Sequence, residues 1–250
     1  MSLKERITYD WKAVQSFGRI VPPMRVNSAA AVSNNAAYCI GGKGVGQSNA
    51  MWKFHLESSE WEELEPTGEA PKERDSHTLT YVGDDKLLLF GGQGLKTDND
   101  RKLRQTKLQT YKVFQSKELF NDTHMYDAAK NSWHRILCKS QVPFSRRGHT
   151  ATYIPPMHHA HRQVASAGID DGSLVIYGGS GMDTFTGIEV AFNDLWVYSP
   201  ETELWALTNT KGTPPIPSYL HAATLQGDFL MIMGGITDPN PPTAIPTSKE

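Results

Sequence analysis

The sequence predicts an all-β protein built from repeated antiparallel sheets of four short strands. The first observation is an internal repeat. Three segments align without a gap, and each has an Asn followed by aromatic or His, Trp and His residues at the same offsets; they begin at Asn49, Asn121 and Asn193. The second observation is a glycine pair that ends a short apolar run in every cycle, at 41–42, 91–92, 178–179 and 234–235. Such repetition indicates stacked units that bury their faces against one another.

One repeat contains signals for four strands. Residues 149–154 alternate between small or polar and apolar side chains, which predicts a first strand. Residues 173–177 are an apolar run, typical of a second strand that neighbouring sheets cover on both faces. Residues 195–198 and 204–207 are predicted as the third and fourth strands, separated by a turn at 199–203.

The order of glycine pair, Asn-Asp pair, aromatic residue and Trp resembles the kelch repeat, the unit of a β-propeller blade. The resemblance covers most of the chain and implies a kelch-type β-propeller of four-stranded antiparallel blades. We expect three complete repeats, a partial fourth and an N-terminal orphan strand, within a single domain of residues 1–250. The predicted bounds are 28–64 for blade 1, 76–136 for blade 2, 148–208 for blade 3 and 220–235 for the start of blade 4.

Both ends of the repeat array are predicted to be incomplete. Residues 9–14 resemble a lone fourth strand, because Trp11 lies 17 residues before Ser28, close to the 16 that separate each later Trp from its His. The C-terminal repeat stops after its glycine pair, and residues 236–250 form a proline-rich tail, predicted as a loop. Kelch propellers typically have more blades, so we expect missing C-terminal sequence to complete this one. Completion by another copy or subunit is the alternative.

Two insertions interrupt the regular repeat. Blade 2 has one at 93–119, between its second and third strands. Blade 3 has one at 155–172, between its first and second strands, and about 7 extra residues between the second and third. Insertions on a repeat scaffold often carry binding. In an up-and-down meander, the 93–119 insertion shares a face with the connections that lead into the first strands, whereas the 155–172 insertion lies on the opposite face.

The 93–119 insertion is basic. It holds seven Lys or Arg against three Asp or Glu, on a chain of net charge −2. One interpretation is a solvated loop, and the other is a basic arm that contacts an acidic protein surface. The candidate partner-binding residues are the basic side chains predicted for this face: Arg74, Arg146, Arg147, Lys102, Arg104 and Lys107. A pI of about 6.5 and one basic segment do not favour nucleic acid.

The histidines do not predict a defined metal site. His158, His159 and His161 are a weak candidate, because imidazole binds zinc, copper or nickel, but this segment has no rigid frame. Three other histidines recur once per repeat and are expected as a ring of buried, hydrogen-bonded residues, together with three Trp that pack between blades. These are His77, His149, His221, Trp61, Trp133 and Trp205. We predict no cofactor.

The resemblance implies a non-enzymatic protein–protein interaction module or scaffold, with a cytoskeletal protein or an acidic protein surface as partner. No nucleophile elbow, HExxH motif or phosphate loop is present. The alternative is the substrate-selecting kelch portion of a larger enzyme, or of a ubiquitin-ligase or phosphatase-type assembly. We expect no membrane span and no secretory signal, and we expect Cys39 and Cys138 to be reduced. A cytoplasmic location follows, with the cytoskeleton or the nucleus as alternatives.

Overall fold

A computed structural model describes residues 13–14, 16, 20–33, 35–44, 48–96, 117–156, 172–183, 186–227 and 229–237. All regular structure in these ranges is β-strand, which confirms the predicted all-β class. No helix in the described part of the chain is long and apolar enough to cross a bilayer.

Blade 1 is a four-stranded antiparallel sheet in the order β1-β2-β3-β4. Its strands are β1 (Ala29–Val32), β2 (Ala36–Ile40), β3 (Met51–His55) and β4 (Glu60–Leu64). The elements of blade 2 are β5 (Thr67–Gly68), β6 (Thr78–Gly83), β7 (Lys86–Phe90), β8 (Gln93–Leu95), β9 (Lys117–Leu119), β10 (Thr123–Asp127) and β11 (Ser132–Ile136). The blade itself is β6-β7-β10-β11, and β5 adds a short parallel edge to β11.

Blade 3 repeats this arrangement as β12-β13-β16-β17. Its elements are β12 (Thr150–Ile154), β13 (Ser173–Tyr177), β14 (Ser180–Met182), β15 (Glu189–Ala191), β16 (Leu195–Ser199) and β17 (Leu204–Leu207). The described part of blade 4 contains β18 (Ser218–Tyr219), β19 (Ala222–Gln226), β20 (Phe229–Met233) and β21 (Ile236–Thr237), in which β19 pairs with β20 and β18 with β21. Of the predicted orphan strand at 9–14, residues 9–12 lie outside the described ranges, and Ala13 and Val14 are not in a strand.

The second strand of each blade supplies the core between blades. In β7, Leu87 and Leu89 face blade 1, whereas Leu88 and Phe90 face blade 3. Alternate side chains of a strand point to opposite faces, so one fully apolar strand serves two interfaces. Two of the repeated Trp residues lie in these interfaces: Trp133 packs against blade 1, and Trp205 packs against blade 2.

The glycine pairs allow neighbouring blades to approach closely. In blade 2, Gly91 and Gly92 have φ values of 65° and 96°. A Cβ on Gly91 would lie 3.0 Å from the His149 ring of the next blade, and a Cβ on Gly92 would lie 2.7 Å from the His77 Cβ of its own blade. The pairs at 91–92 and 178–179 therefore each lie between two successive histidines, where a larger residue would clash.

A line of backbone hydrogen bonds joins blades 1 to 4 just before their first strands. The Ser76 amide donates to the Asn27 carbonyl, Gly148 donates to Ser76, and Leu220 donates to Gly148, at 2.9, 2.9 and 2.7 Å. All four residues have positive φ, between 56° and 62°. The first strands that follow also contact one another in succession, as the inner strands of a propeller do.

Candidate functional site

The two hairpins that follow the glycine pairs define one face of the propeller, which we call the insertion face. The β8–β9 hairpin is the base of the 93–119 insertion, with Gln93 opposite Leu119 and Leu95 opposite Lys117. The β14–β15 hairpin is formed by the extra residues of blade 3. Both hairpins pair with the connections that lead into β6 and β12, through Asp75 with Gln93 and through Arg147 with Ser180.

The tip of the basic insertion lies outside the described residues, and so do its candidate side chains Lys102, Arg104 and Lys107. What the structure describes is the base of the insertion, where Lys96 and Lys117 are exposed. An ion pair of 3.5 Å between the Lys72 Nζ and a Glu118 carboxylate oxygen joins β9 to the connection that leads into β6. The histidines His158, His159 and His161 also lie outside the described ranges.

Arg74 was predicted to contact a partner, but the structure places its side chain in the interior, 1% exposed. Its guanidinium forms a two-pronged ion pair with Asp122, at 2.6 and 2.9 Å. It also donates to the carbonyl oxygens of Lys72 and Gly91 and lies 4.2 Å from the centre of the Phe120 ring. The group therefore clamps the start of β10 to the glycine pair through four hydrogen bonds.

Arg146, another of the residues predicted to contact a partner, has the same position in blade 3. It is fully buried, pairs with both oxygens of Asp194 at 2.7 Å, and donates to Gly178 and Phe144 carbonyls. An Arg at the end of a loop was expected to be exposed. Arg146 is buried because the folded blade brings it next to the carboxylate of Asp194, which lies 48 residues further along the chain.

Arg147 is the one candidate among the described residues whose side chain reaches the surface. It is 20% exposed and forms an ion pair of 2.6 Å with Glu189 on β15. Its guanidinium also lies 5.5 Å from the centre of the Tyr219 ring, across the boundary with blade 4. Arg147 thus joins the β14–β15 hairpin to two blades while keeping one edge on the insertion face.

Sequence reasoning missed Asp122 and His124, which form a polar cluster with Arg74 next to a cavity of about 390 Å³. His124 is buried and bonds Asp122 through Nε2 at 2.9 Å and the Glu69 carbonyl through Nδ1 at 3.1 Å. The carboxylate and the carbonyl are both acceptors, so the His124 ring can only donate to them. Burial by itself raises the pKa of Asp122, but the hydrogen bonds from Arg74 and His124 outweigh it and lower that pKa below its usual value.

The equivalent cluster is incomplete in blade 1. Ala50 stands where blades 2 and 3 have Asp122 and Asp194. In blade 3 the Trp196 indole donates to Asp194 at 2.7 Å, whereas the equivalent Trp52 Nε1 is buried without a partner among the described residues. Blade 1 therefore has the Trp of the cluster but lacks the carboxylate.

The His ring is a structural feature of the blade interfaces. Nε2 of His149 and of His221 lies 3.0 and 3.1 Å from the hydroxyl of Thr78 and Thr150, respectively, each on the preceding blade. In the blade that precedes His77, Ala29 occupies the repeat position of Thr78 and Thr150, and the His77 ring nitrogens have no partner in bonding geometry among the described residues. Burial, followed by the Arg74 charge, lowers the pKa of His77 to about 3. No three His, Cys, Asp or Glu side chains in the described ranges converge as a metal site.

A turn between the third and fourth strands shows a similar difference between blades. The Tyr126 hydroxyl donates to Asn131 at 2.7 Å, and Asn131 has a φ of 48°. In blade 3, Glu203 occupies the equivalent position with a φ of 56°, and the Tyr198 hydroxyl is buried without a partner among the described residues. The smaller Asn suits this left-handed backbone better than Glu does.

Comparison with known proteins identifies the repeat. The model of the KLHDC2/KLHL20/DRC7 Kelch-repeats domain matches residues 8–159. The chain is 27% identical to Host cell factor of Drosophila melanogaster over 196 residues, which are 75% of this chain and 11% of that protein. It is 24% identical to Kelch domain-containing protein 3 of Rattus norvegicus over 258 aligned positions, which cover 92% of this chain and 65% of that protein.

The fold has a match among solved structures. The structure of YjhT superposes with a TM-score of 0.57 at 20% identity, covering 84% of this chain and 58% of the other. In all three comparisons the chain spans less than two thirds of the length of the protein that it matches.

Proposed function

Since this chain belongs to the kelch-repeat β-propeller family, we propose that it is a non-enzymatic interaction module that binds a partner protein through its insertion face. The observation that carries the proposal is the convergence on that face of both hairpins that extend beyond the blades, one of which is the base of the basic insertion. Extensions of this kind lie outside the repeat frame and are free to contact another molecule.

The choice of face follows from what the rest of the frame does. Arg74, Arg146 and the His ring are engaged within and between blades, so they hold the scaffold together. The insertion adds seven basic residues to a chain of net charge −2, and the two at its base are exposed. An acidic protein surface complements this charge, which would speed association and favour the correct partner.

The proposal assigns no catalytic role to this chain. In the polar cluster, Asp122 bonds both Arg74 and the buried His124. A cytoplasmic or nuclear location, in which Cys39 and Cys138 stay reduced, is part of the same proposal.

A second candidate is that this propeller selects the substrate for a larger enzyme or for a ubiquitin-ligase or phosphatase-type assembly. The observation that favours it is length, because the chain corresponds to 11% of one relative and 65% of another. The binding face is the same in both cases, so one experiment on that face tests the shared part of the two candidates.

The test is affinity capture with quantitative mass spectrometry. Bait proteins are the wild type, a variant in which Lys102, Arg104 and Lys107 are changed to Glu, and Lys86→Glu as the matched control on an exposed strand residue away from the insertion. We expect the triple variant to lose at least one partner that both the wild type and the control retain. Identical partner sets for all three proteins would refute binding through the basic insertion.

A further inference from the structure

A groove of about 500 Å³ runs between the two hairpins of the insertion face. Blade 2 supplies one wall through β8 and β9, and blade 3 supplies the other through β14, β15 and the connection at 144–147. The lining residues that carry the argument are Lys96, Lys117, Leu119, Phe144 and Met182. This volume is within the usual range of ligand-binding clefts and can hold one large side chain with its adjoining backbone.

The floor and rim of the groove expose apolar side chains. Phe144 and Met182 are 48% and 49% exposed, and Leu119, the last residue of β9, is half-buried. Phe144 is held in place by stacking on the buried Phe192, with ring centres 6.5 Å apart. Three apolar side chains around one opening favour an apolar group from a partner, because that contact removes apolar surface from water on both sides.

The charges of the groove are unequally neutralised. Glu189 pairs with Arg147, and Glu118 pairs with Lys72, which lies outside the groove. Lys96 and Lys117, by contrast, have no carboxylate partner among the described residues, and both are exposed. The unpaired charge at this opening is therefore positive, on the side where the basic insertion begins.

We propose that this groove binds an acidic, extended segment of a partner protein, with one aliphatic or aromatic side chain inserted between Phe144, Met182 and Leu119. Carboxylates that flank this anchor contact Lys96 and Lys117. The inference rests on the proposed function, since it specifies where on the insertion face the partner binds and which chemistry it presents. Two ammonium groups without a carboxylate partner in the described ranges and the exposed apolar side chains of the same groove select this occupant.

The probe is a set of fluorescein-labelled heptapeptides of the form Glu-Glu-Asp-X-Asp-Glu-Glu, in which X is Leu, Phe, Trp or Ala. Binding to the whole chain is measured by fluorescence anisotropy at 50 mM and 300 mM salt. We expect at least one peptide with a large X to bind roughly tenfold more tightly than the Ala peptide, because the anchor becomes buried. The affinity should also fall as salt rises.

Two pairs of variants locate the contact. Lys117→Glu is compared with Lys86→Glu, since both residues are exposed lysines at strand ends. Met182→Asp is compared with Met231→Asp, since Met231 is 44% exposed but lies on blade 4. We expect Lys117→Glu and Met182→Asp each to weaken the best peptide by roughly fivefold or more, while both controls bind as the wild type does. Circular dichroism checks that all four variants are folded.

Several results would refute the proposal that the groove binds an acidic segment. These are equal binding of all four peptides, weakening by the control variants as large as by Lys117→Glu and Met182→Asp, or no binding by any peptide. The groove can fail while the proposed function stands: partner capture would then be lost on charge reversal of the insertion but unchanged in Met182→Asp. If capture is unchanged by the charge reversal as well, the insertion face itself is not the binding surface.

Discussion

Replacing Ala50 by Asp should complete the polar cluster of blade 1 and stabilise the protein. Arg25 already has the position of Arg74 and Arg146: it donates to the Pro23 carbonyl through Nε and to the Gly41 carbonyl through Nη1. What blade 1 lacks is the carboxylate that accepts from the guanidinium and, in blade 3, from the indole of Trp196. In blade 1 the corresponding indole is that of Trp52, which is 3% exposed and unpartnered among the described residues.

The expected gain in stability comes from the polar groups that would obtain a hydrogen-bond or ion-pair partner. An unpartnered buried donor costs about 1–3 kcal/mol, so giving Trp52 an acceptor should recover a large part of that. The new ion pair with Arg25 adds about 0–1 kcal/mol, because Arg25 is only half-buried and water screens the pair. Burying the new carboxylate offsets part of the gain. A net stabilisation of about 1–2 kcal/mol corresponds to a rise in Tm of about 2–8 °C for a chain of this size.

The assay is a double-mutant cycle followed by thermal and urea unfolding. Its proteins are the wild type, Ala50→Asp, Ala50→Asn as a neutral acceptor for Trp52, Arg25→Met, and Arg25→Met combined with each of the two Ala50 substitutions. We expect Ala50→Asn to give part of the gain and Ala50→Asp more. The increment of Asp over Asn should vanish in the Arg25→Met background. A lower Tm for Ala50→Asp than for the wild type, or the same increment without Arg25, would refute the equivalence of the three clusters.

Three further predictions follow from differences between blades. Asp122→Asn should cost about 3–5 kcal/mol at pH 7, because its arginine partner stays buried and unpaired. Since the pKa of Asp122 is lowered by folding, its contribution is complete above about pH 4 and is lost as pH falls further, so urea midpoints should depend less on acid pH in the variant. Glu203→Asn should stabilise by about 1–2 kcal/mol by accepting from Tyr198, and Tyr198→Phe should abolish most of that gain. Ala29→Thr should raise Tm, because it gives His77 a hydroxyl partner like those of His149 and His221. In a His77→Phe background, the same substitution should leave Tm unchanged.

The repeat itself could be read from the sequence because its signals are local. These signals depend on residues close together in the chain and on packing between repeated units. They are the glycine pairs, the apolar run of β7 and the positions of Trp133 and Trp205. A period in the sequence therefore predicts the blade directly.

The roles of Arg74 and Arg146 could not be read in the same way. Their carboxylate partners, Asp122 and Asp194, lie 48 residues further along the chain in both cases. An insertion separates each pair, so only the folded blade brings the charges together. The equal spacing was a usable signal: an Arg and an Asp that recur at one separation in two repeats indicate a pair, whereas a surface Arg needs no such partner.

The hydrogen-bonded line through Asn27, Ser76, Gly148 and Leu220 gives each boundary between blades its own kinetic reporter. The amides of Ser76, Gly148 and Leu220 each donate across a single boundary, so each exchanges with solvent deuterium only when that boundary opens. Three exchange rates then measure three separate opening free energies in one sample. A slower rate at Ser76 or Gly148 than at Leu220 would mean that the propeller begins to come apart at the boundary with blade 4, and that the face bearing the insertion stays intact while it does so.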